Sequence, residues 1–198
     1  MKTKLTLSLW KPNQRLARTA ESPWCRLCGE KVENVDHVVS GSKKLAQKEF
    51  KRRHDNVPKV VHWKLSEKYG LERSEKWHDN TPESVVENER IKILWDVCIQ
   101  CDHVIGARRP DIVIINKEDK NCFIVDIAIS GDSRLSKNVG EKVEKYQDLK
   151  REIMRMWNLK SAQEIPIIVG ALGGVTRKLG DWVGKLNITL RTAFLQKD

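Results

Sequence analysis

The chain has 198 residues, of which 39% are hydrophobic and 32% charged, with mean hydropathy −0.54. That is enough apolar material for one core, or one core and a small appendage, and no apolar run approaches the roughly 20 residues of a membrane span. The 37 lysines and arginines exceed the 27 aspartates and glutamates, giving a net charge of +10 that suits a polyanion, nucleic acid above all.

Residues 1–22 are polar without a clear period and read as a loose extension. The apolar stretch before Lys11-Pro12 is shorter than the roughly 7–15 residues of a secretory core, so an intracellular protein is expected. Five cysteines, odd in number and irregularly spaced, argue against a disulfide framework. Cys25, Cys28 and His37 fall in a turn-rich stretch, 23–42. Residues 43–70 read as two helices separated at Asn56-Val57-Pro58, with Pro58 in the first turn of the second and Gly70 as its C-terminal cap. Lys43, Lys44, Lys48, Lys51, Arg52 and Arg53 make the first helix strongly basic, either a solvated face or a phosphate-tracking surface. The polar stretch 71–83 is the expected boundary between a segment 23–82 and a domain 83–198.

Beyond it the pattern predicts a helix at 84–90, strands at 91–99, 110–116 and 122–129, a long helix at 138–157, a strand at 165–171, a helix at 175–185 and a short strand near 187–191. Lys117-Glu118-Asp119-Lys120 reads as a hairpin connection. Val143, Tyr146, Leu149, Ile153 and Trp157 form an amphipathic stripe along the long helix. This αβββαβ order is that of an α/β fold, a mixed sheet flanked by helices, preceded by a helical appendage.

Two acids stand where acids are costly. Asp111 heads the run Ile112–Ile115, and Asp126 sits inside Phe123–Ile129, both dense in β-branched residues as in buried strands. An unpartnered carboxylate there costs several kcal/mol. If the two strands are antiparallel neighbours, both acids lie near one end of the sheet. Carboxylates about 4 Å apart repel by roughly 1–4 kcal/mol, which a divalent cation reverses. Lys142 and Lys145 are one turn apart on the next helix, in reach of that end. The set points to a metal-dependent phosphodiesterase, while a capped turn at Asp111 and a simple ion pair at Asp126 remain the structural alternative. Glu87 and Glu89, on the helix expected at 84–90, are further candidate carboxylates, and an exposed helix face is their plainer reading.

Arg109-Pro110-Asp111, then Asp126, then Lys142 and Lys145 with Tyr146, resemble the PD-(D/E)XK nuclease superfamily. The variant they resemble is the restriction-enzyme-like endonuclease of LINE-like, non-LTR retrotransposons, in which the lysine has moved from the strand to the following helix; position 128 here is alanine. CRLCGEKVENVDH, the HDN and EKW segments, ILWD and EKVEKYQDLKREI extend the resemblance over roughly 23–198. It implies a restriction-endonuclease-like domain that nicks target DNA to prime reverse transcription. Asp111 and Asp126 would hold Mg²⁺ or Mn²⁺, Lys142 and Lys145 would assist at the phosphate, and Tyr146 and Gln147 are lesser candidates. Arg108 and Arg109, with the basic helix, would bind nucleic acid. DNA, element RNA and an upstream reverse transcriptase domain are the implied partners, with no membrane, and the nucleus is the implied location.

The same resemblance implies a Cys-x2-Cys-x8-His-x4-Cys knuckle for Zn²⁺, of which Cys25, Cys28 and His37 match while position 42 is Ser42. The knuckle is degenerate, and a metal-free fold is the expectation because structural zinc wants four protein ligands. Two other readings stay open: an inactive nucleic-acid-binding remnant, and a repair or restriction nuclease of the same superfamily. Cys98-x2-Cys101 with His103 looks like a second metal cluster, but thiols three apart in a strand diverge and core cysteines are the plainer reading, and His54, His62 and His78 have no partners at a ligand spacing.

Overall fold

Runs of valine and isoleucine are stiff at χ1 and pack well on a pleated surface, and here they build the sheet. The computed structural model describes residues 23–34, 37–38, 42, 51–130, 144–170 and 174–190. The chain divides into two units, 1–51 and 52–198, so the polar stretch 71–83 lies inside the second. Along the chain come α1 (Lys51–Tyr69), β1 (Val85–Glu87), β2 (Ile91–Trp95), β3 (Ile112–Asn116), β4 (Asn121–Ser130), α2 (Gln147–Met156), β5 (Ser161–Gly170) and α3 (Leu179–Lys185).

The five strands form one sheet in the order β1-β2-β3-β4-β5. Strands β1 to β4 run antiparallel in a meander, and β5 returns parallel to β4 after α2. This is the expected α/β architecture, a mixed sheet flanked by helices. Register between β3 and β4 runs from Ile112 opposite Val125 to Asn116 opposite Asn121, closed by the turn 117–120 with Lys120 at φ 53°. One core contains Leu94, Val113, Ile115, Cys122 and Ile124 from the sheet with Tyr146, Leu149 and Ile153 from the α2 side. Trp95 alternates with Leu94 and faces the other way, where the His62 ring of α1 meets it edge-on at 5.5 Å. Helix α1 therefore covers the opposite face, burying Val57, Val60, Val61 and Leu65.

Several elements differ from expectation. The helix expected at 84–90 is strand β1, because Val85 and Val86 pair with Leu94 and Ile93, and the Asn88 side chain accepts from the Arg90 and Ile91 amides to close the turn. The strand expected over 91–99 ends at Trp95, where Asp96 takes φ 49° and turns the chain away, leaving Cys98 and Cys101 outside any strand. Helix α1 runs unbroken through Pro58. A proline inside a helix costs about 3 kcal/mol, and burying a single aliphatic side chain contributes about 1.5–3, so the four buried here offset it. Gly70 does cap the helix: at φ 65° it lets its own amide bond Glu67 O and the Leu71 amide bond Ser66 O. Helix α3 starts at Leu179 rather than 175, after Val175 bridges Val169, and residues 187–190 form no strand. The part of the long helix expected at 138–143 lies outside the described residues. No helix among the described residues is long and apolar enough to cross a membrane.

His62 is 2% exposed, neither ring nitrogen has a hydrogen-bond partner, and burial pushes its pKa down to about 4. The unfolded chain, with an ordinary histidine near 6.5, therefore binds more protons between these values, and stability falls as pH drops through that window. From pH 7 to pH 5 the loss attributable to His62 is roughly 2 kcal/mol. Urea unfolding of wild type and His62→Phe at both pH values is expected to show that much less acid sensitivity in the variant; equal sensitivity would assign the effect elsewhere.

Candidate active site and candidate metal cluster

Asp126 occupies the middle of β4, on the α2 face with Cys122 and Ile124, and its side chain is 8% exposed. Asp111 immediately precedes β3, and continuing the ladder from Ile112 opposite Val125 sets it opposite Asp126 on the same face. A bond from the Ile127 amide to Asp111 Oδ2, 2.6 Å, fixes the first acid to the strand that carries the second. The central strand and its neighbour thus bring both carboxylates to one rim of the sheet.

The turn entering α2 supplies their polar neighbours. The Tyr146 hydroxyl donates to Asp126 Oδ1 at 2.8 Å, and Lys145 Nζ donates to that hydroxyl at 2.8 Å and lies 3.4 Å from Asp126 Oδ1. The hydroxyl is also 3.2 Å from the Arg109 carbonyl oxygen, tying the turn before β3 to the same point. Burial first, then the charges of Asp126 and Asp111, push the Tyr146 hydroxyl well above the ordinary tyrosine range. It stays protonated, a fixed donor to a buried carboxylate. Lys145, with its side chain 42% exposed, reaches from this cluster toward solvent.

Of the residues singled out in the sequence, the structure therefore gathers Asp111, Asp126, Lys145 and Tyr146. Lys142 lies outside the described residues, as do Lys43, Lys44 and Lys48. Gln147 turns instead to Glu164 on β5, donating to Oε1 at 3.0 Å, and Lys150 Nζ lies 3.3 Å from Oε2. Glu87 is on strand β1, at the end of the sheet away from Asp111, where Lys117 and then Lys92 hold its carboxyl below the usual range. Lys51 and Arg52 are exposed in the first turn of α1; Arg108 is half-buried, and Arg109 makes a bidentate pair with Asp96 through two bonds of 2.7 Å. Two nearby groups carried no signal in the sequence. His54 Nε2 lies 3.7 Å from Asp111 Oδ1, although 57 residues separate them (111 − 54), and Glu164 is a further buried acid, held by Lys150 and Gln147.

In the first unit, Trp24 and Val32 bridge and the Cys25 amide bonds Lys31 O, so the chain folds back on itself after Cys28. Gly29 makes the reversal at φ 70°, its amide bonding Cys25 O. Arg26 clamps the arms through Glu33, at 2.7 Å for the shortest contact, and holds the Glu33 carboxyl below the usual range. Asn34 Oδ1 accepts from the His37 amide at 2.7 Å.

The result gathers Cys25, Cys28 and His37 with their donor atoms within 4.8 Å of one another, and Cys28 Sγ 3.2 Å from His37 Nε2. Tetrahedral zinc, with Zn–S near 2.3 Å and Zn–N near 2.0–2.1 Å, asks for separations of roughly 3.5–3.8 Å. The donors are gathered close to that spacing, and the cluster could hold a metal ion such as zinc. Backbone hydrogen bonding at Glu30 lowers the Cys28 pKa, favouring the thiolate that a metal requires. Among the described residues this is the one cluster of three such donors.

No protein-family model matches the chain, and no curated protein matches it.

The two partners of Asp126 differ in weight. A short bond from a buried hydroxyl to a carboxylate contributes about 1.5–3 kcal/mol, a half-exposed ion pair below about 1. Chemical denaturation is expected to rank Tyr146→Phe as clearly more destabilising than Lys145→Met; the reverse order would shift the anchoring role to the lysine.

Proposed function

We propose that the second unit is a metal-dependent DNA endonuclease domain of the kind found in non-LTR retrotransposons, nicking target DNA so that the exposed 3′-hydroxyl primes reverse transcription. The observation that carries this reading is the pair Asp111 and Asp126, set opposite each other at one rim with Lys145 beside them. Two carboxylates of hard oxygen donors suit Mg²⁺ or Mn²⁺, which is held through one or two such groups and keeps several waters. When bound, the ion supplies Lewis acidity toward a phosphoryl oxygen and lowers the pKa of a coordinated water.

The chain's own residues do the rest. Asp111 and Asp126 would hold the cation, and the Ile127 amide orients Asp111. Tyr146 fixes the Asp126 carboxylate through a proton it does not lose at neutral pH. Lys145, half-exposed, stabilises negative charge that develops on the phosphate. The net charge of +10 favours a polyanionic substrate, with the half-buried Arg108 among the basic residues of the unit. An upstream reverse transcriptase domain, element RNA and a nuclear location belong to the same proposal.

Conversion of supercoiled plasmid to nicked circles in Mg²⁺ tests it. Asp111→Ala and Asp126→Ala are expected to lower the rate by roughly a hundredfold or more, and Lys145→Ala by less. Equal nicking by wild type and Asp126→Ala would remove the acid from the mechanism. Steeply salt-dependent DNA binding with no metal-dependent cleavage would instead identify a binding module with an inactive nuclease fold.

A further inference from the structure

Strand β1 stands at one edge of the sheet, with β2 its sole neighbour among the described residues. Ser84 O accepts from the Trp95 amide and the Asn88 amide bonds Ile91 O, so the ladder uses the backbone groups of Ser84, Val86 and Asn88. The N–H and C=O of Val85 and Glu87 therefore point away from the sheet, and they have no partner among the described residues. Such an edge is a template for a further strand.

A groove of about 620 Å³ touches Val85, Val86 and Glu87 alike. Successive side chains of a strand face opposite ways, so a groove that meets all three runs along the free edge. The stretch 71–83 also lines it and contributes the exposed acids Glu72, Asp79 and Glu83. No lysine or arginine among the described residues pairs with these three, while Arg73, which lines the groove too, is held by Glu67 at 2.9 Å. His62 and Asn80 belong to the same lining, 2% and 6% exposed, and the His62 ring nitrogens and Asn80 Nδ2 have no hydrogen-bond partner. Buried polar groups left unpaired mark a place where something polar completes the bonding.

We propose that β1 is a docking edge for an extended segment of a partner protein in which lysine or arginine alternates with β-branched residues. The segment adds as a further strand, its backbone pairing with Val85 and Glu87. Its basic side chains, all on one face, meet Glu72, Asp79 and Glu83 across the groove. The net charge of +10 works against a cationic partner overall, and the three acids work against nucleic acid, so binding here requires the local fit. Cleavage plays no part in it, and the nicking assay and peptide binding stand or fall separately.

Fluorescence anisotropy of a labelled peptide of alternating threonine and arginine, titrated with the full chain, provides the test. Wild type is expected to bind it and to ignore the same peptide with glutamate in place of arginine. Methylating the peptide's backbone nitrogens removes strand pairing and keeps the charge, and is expected to abolish binding. Glu72→Lys combined with Glu83→Lys is expected to weaken binding roughly tenfold or more. Val85→Pro, which removes one outward N–H and leaves the β1–β2 ladder intact, is expected to weaken it as well. Failure of wild type to bind, or equal binding of the methylated peptide, would overturn the proposal. So would a double lysine variant that matches wild type. A concentration-dependent dimer, seen without peptide and lost in Val85→Pro, would also overturn it and assign the edge to a second copy of the chain.

Discussion

A carboxylate inside an interior strand of a covered sheet is the constraint around which the second unit is arranged. Asp126 stands on a face otherwise occupied by Cys122, Ile124 and the apolar side of α2. Its charge is tolerated because a buried hydroxyl and a half-exposed amine come to it from the turn that starts α2. That same turn touches the Arg109 carbonyl, so one polar cluster joins β4, the approach to β3 and the entry to the crossover helix. The parallel return of β5 follows from α2 lying on this face, and the site and the topology share a cause.

Much of this was legible in the sequence because it depends on local pattern. Dense β-branched runs marked β3, β4 and β5, the four-residue turn 117–120 marked the antiparallel β3–β4 hairpin, and that pairing allowed Asp111 and Asp126 to lie near one end of the sheet. The elements misread are those that tertiary contacts decide. Glu83–Arg90 carries the charge density of an exposed helix, yet its two valines find a ladder on β2 and Asn88 closes the turn. Asn56-Val57-Pro58 has the composition of a break, yet burial of Val57, Val60, Val61 and Leu65 carries the helix through it.

His54 and Glu164 show a different limit. Neither lies at a spacing from Asp111 or Asp126 that a motif would record, since one comes from α1 and the other from β5. Register does contain part of the answer: Glu164 pairs with Ile124, which shares a face with Asp126, so a buried acid on β5 follows once the parallel alignment is known. The alignment itself is set by α2, whose Lys150 and Gln147 meet that acid. A single sequence holds the residues but not this pairing.

Under the proposed function Asp126 would serve two ends, and they pull on it differently. As a structural group it wants its nearest donors held close, and Tyr146 provides that with a proton whose removal is made costly by burial and by both acids. As a ligand it wants an oxygen turned to a cation, and a neutral hydroxyl leaves the full negative charge on the carboxylate. Lysine alone would neutralise the charge and compete for the site. Dividing the work between a buried neutral donor and a longer, half-exposed ion pair keeps the acid both anchored and ionic. The tyrosine therefore anchors the buried aspartate without giving up its own proton.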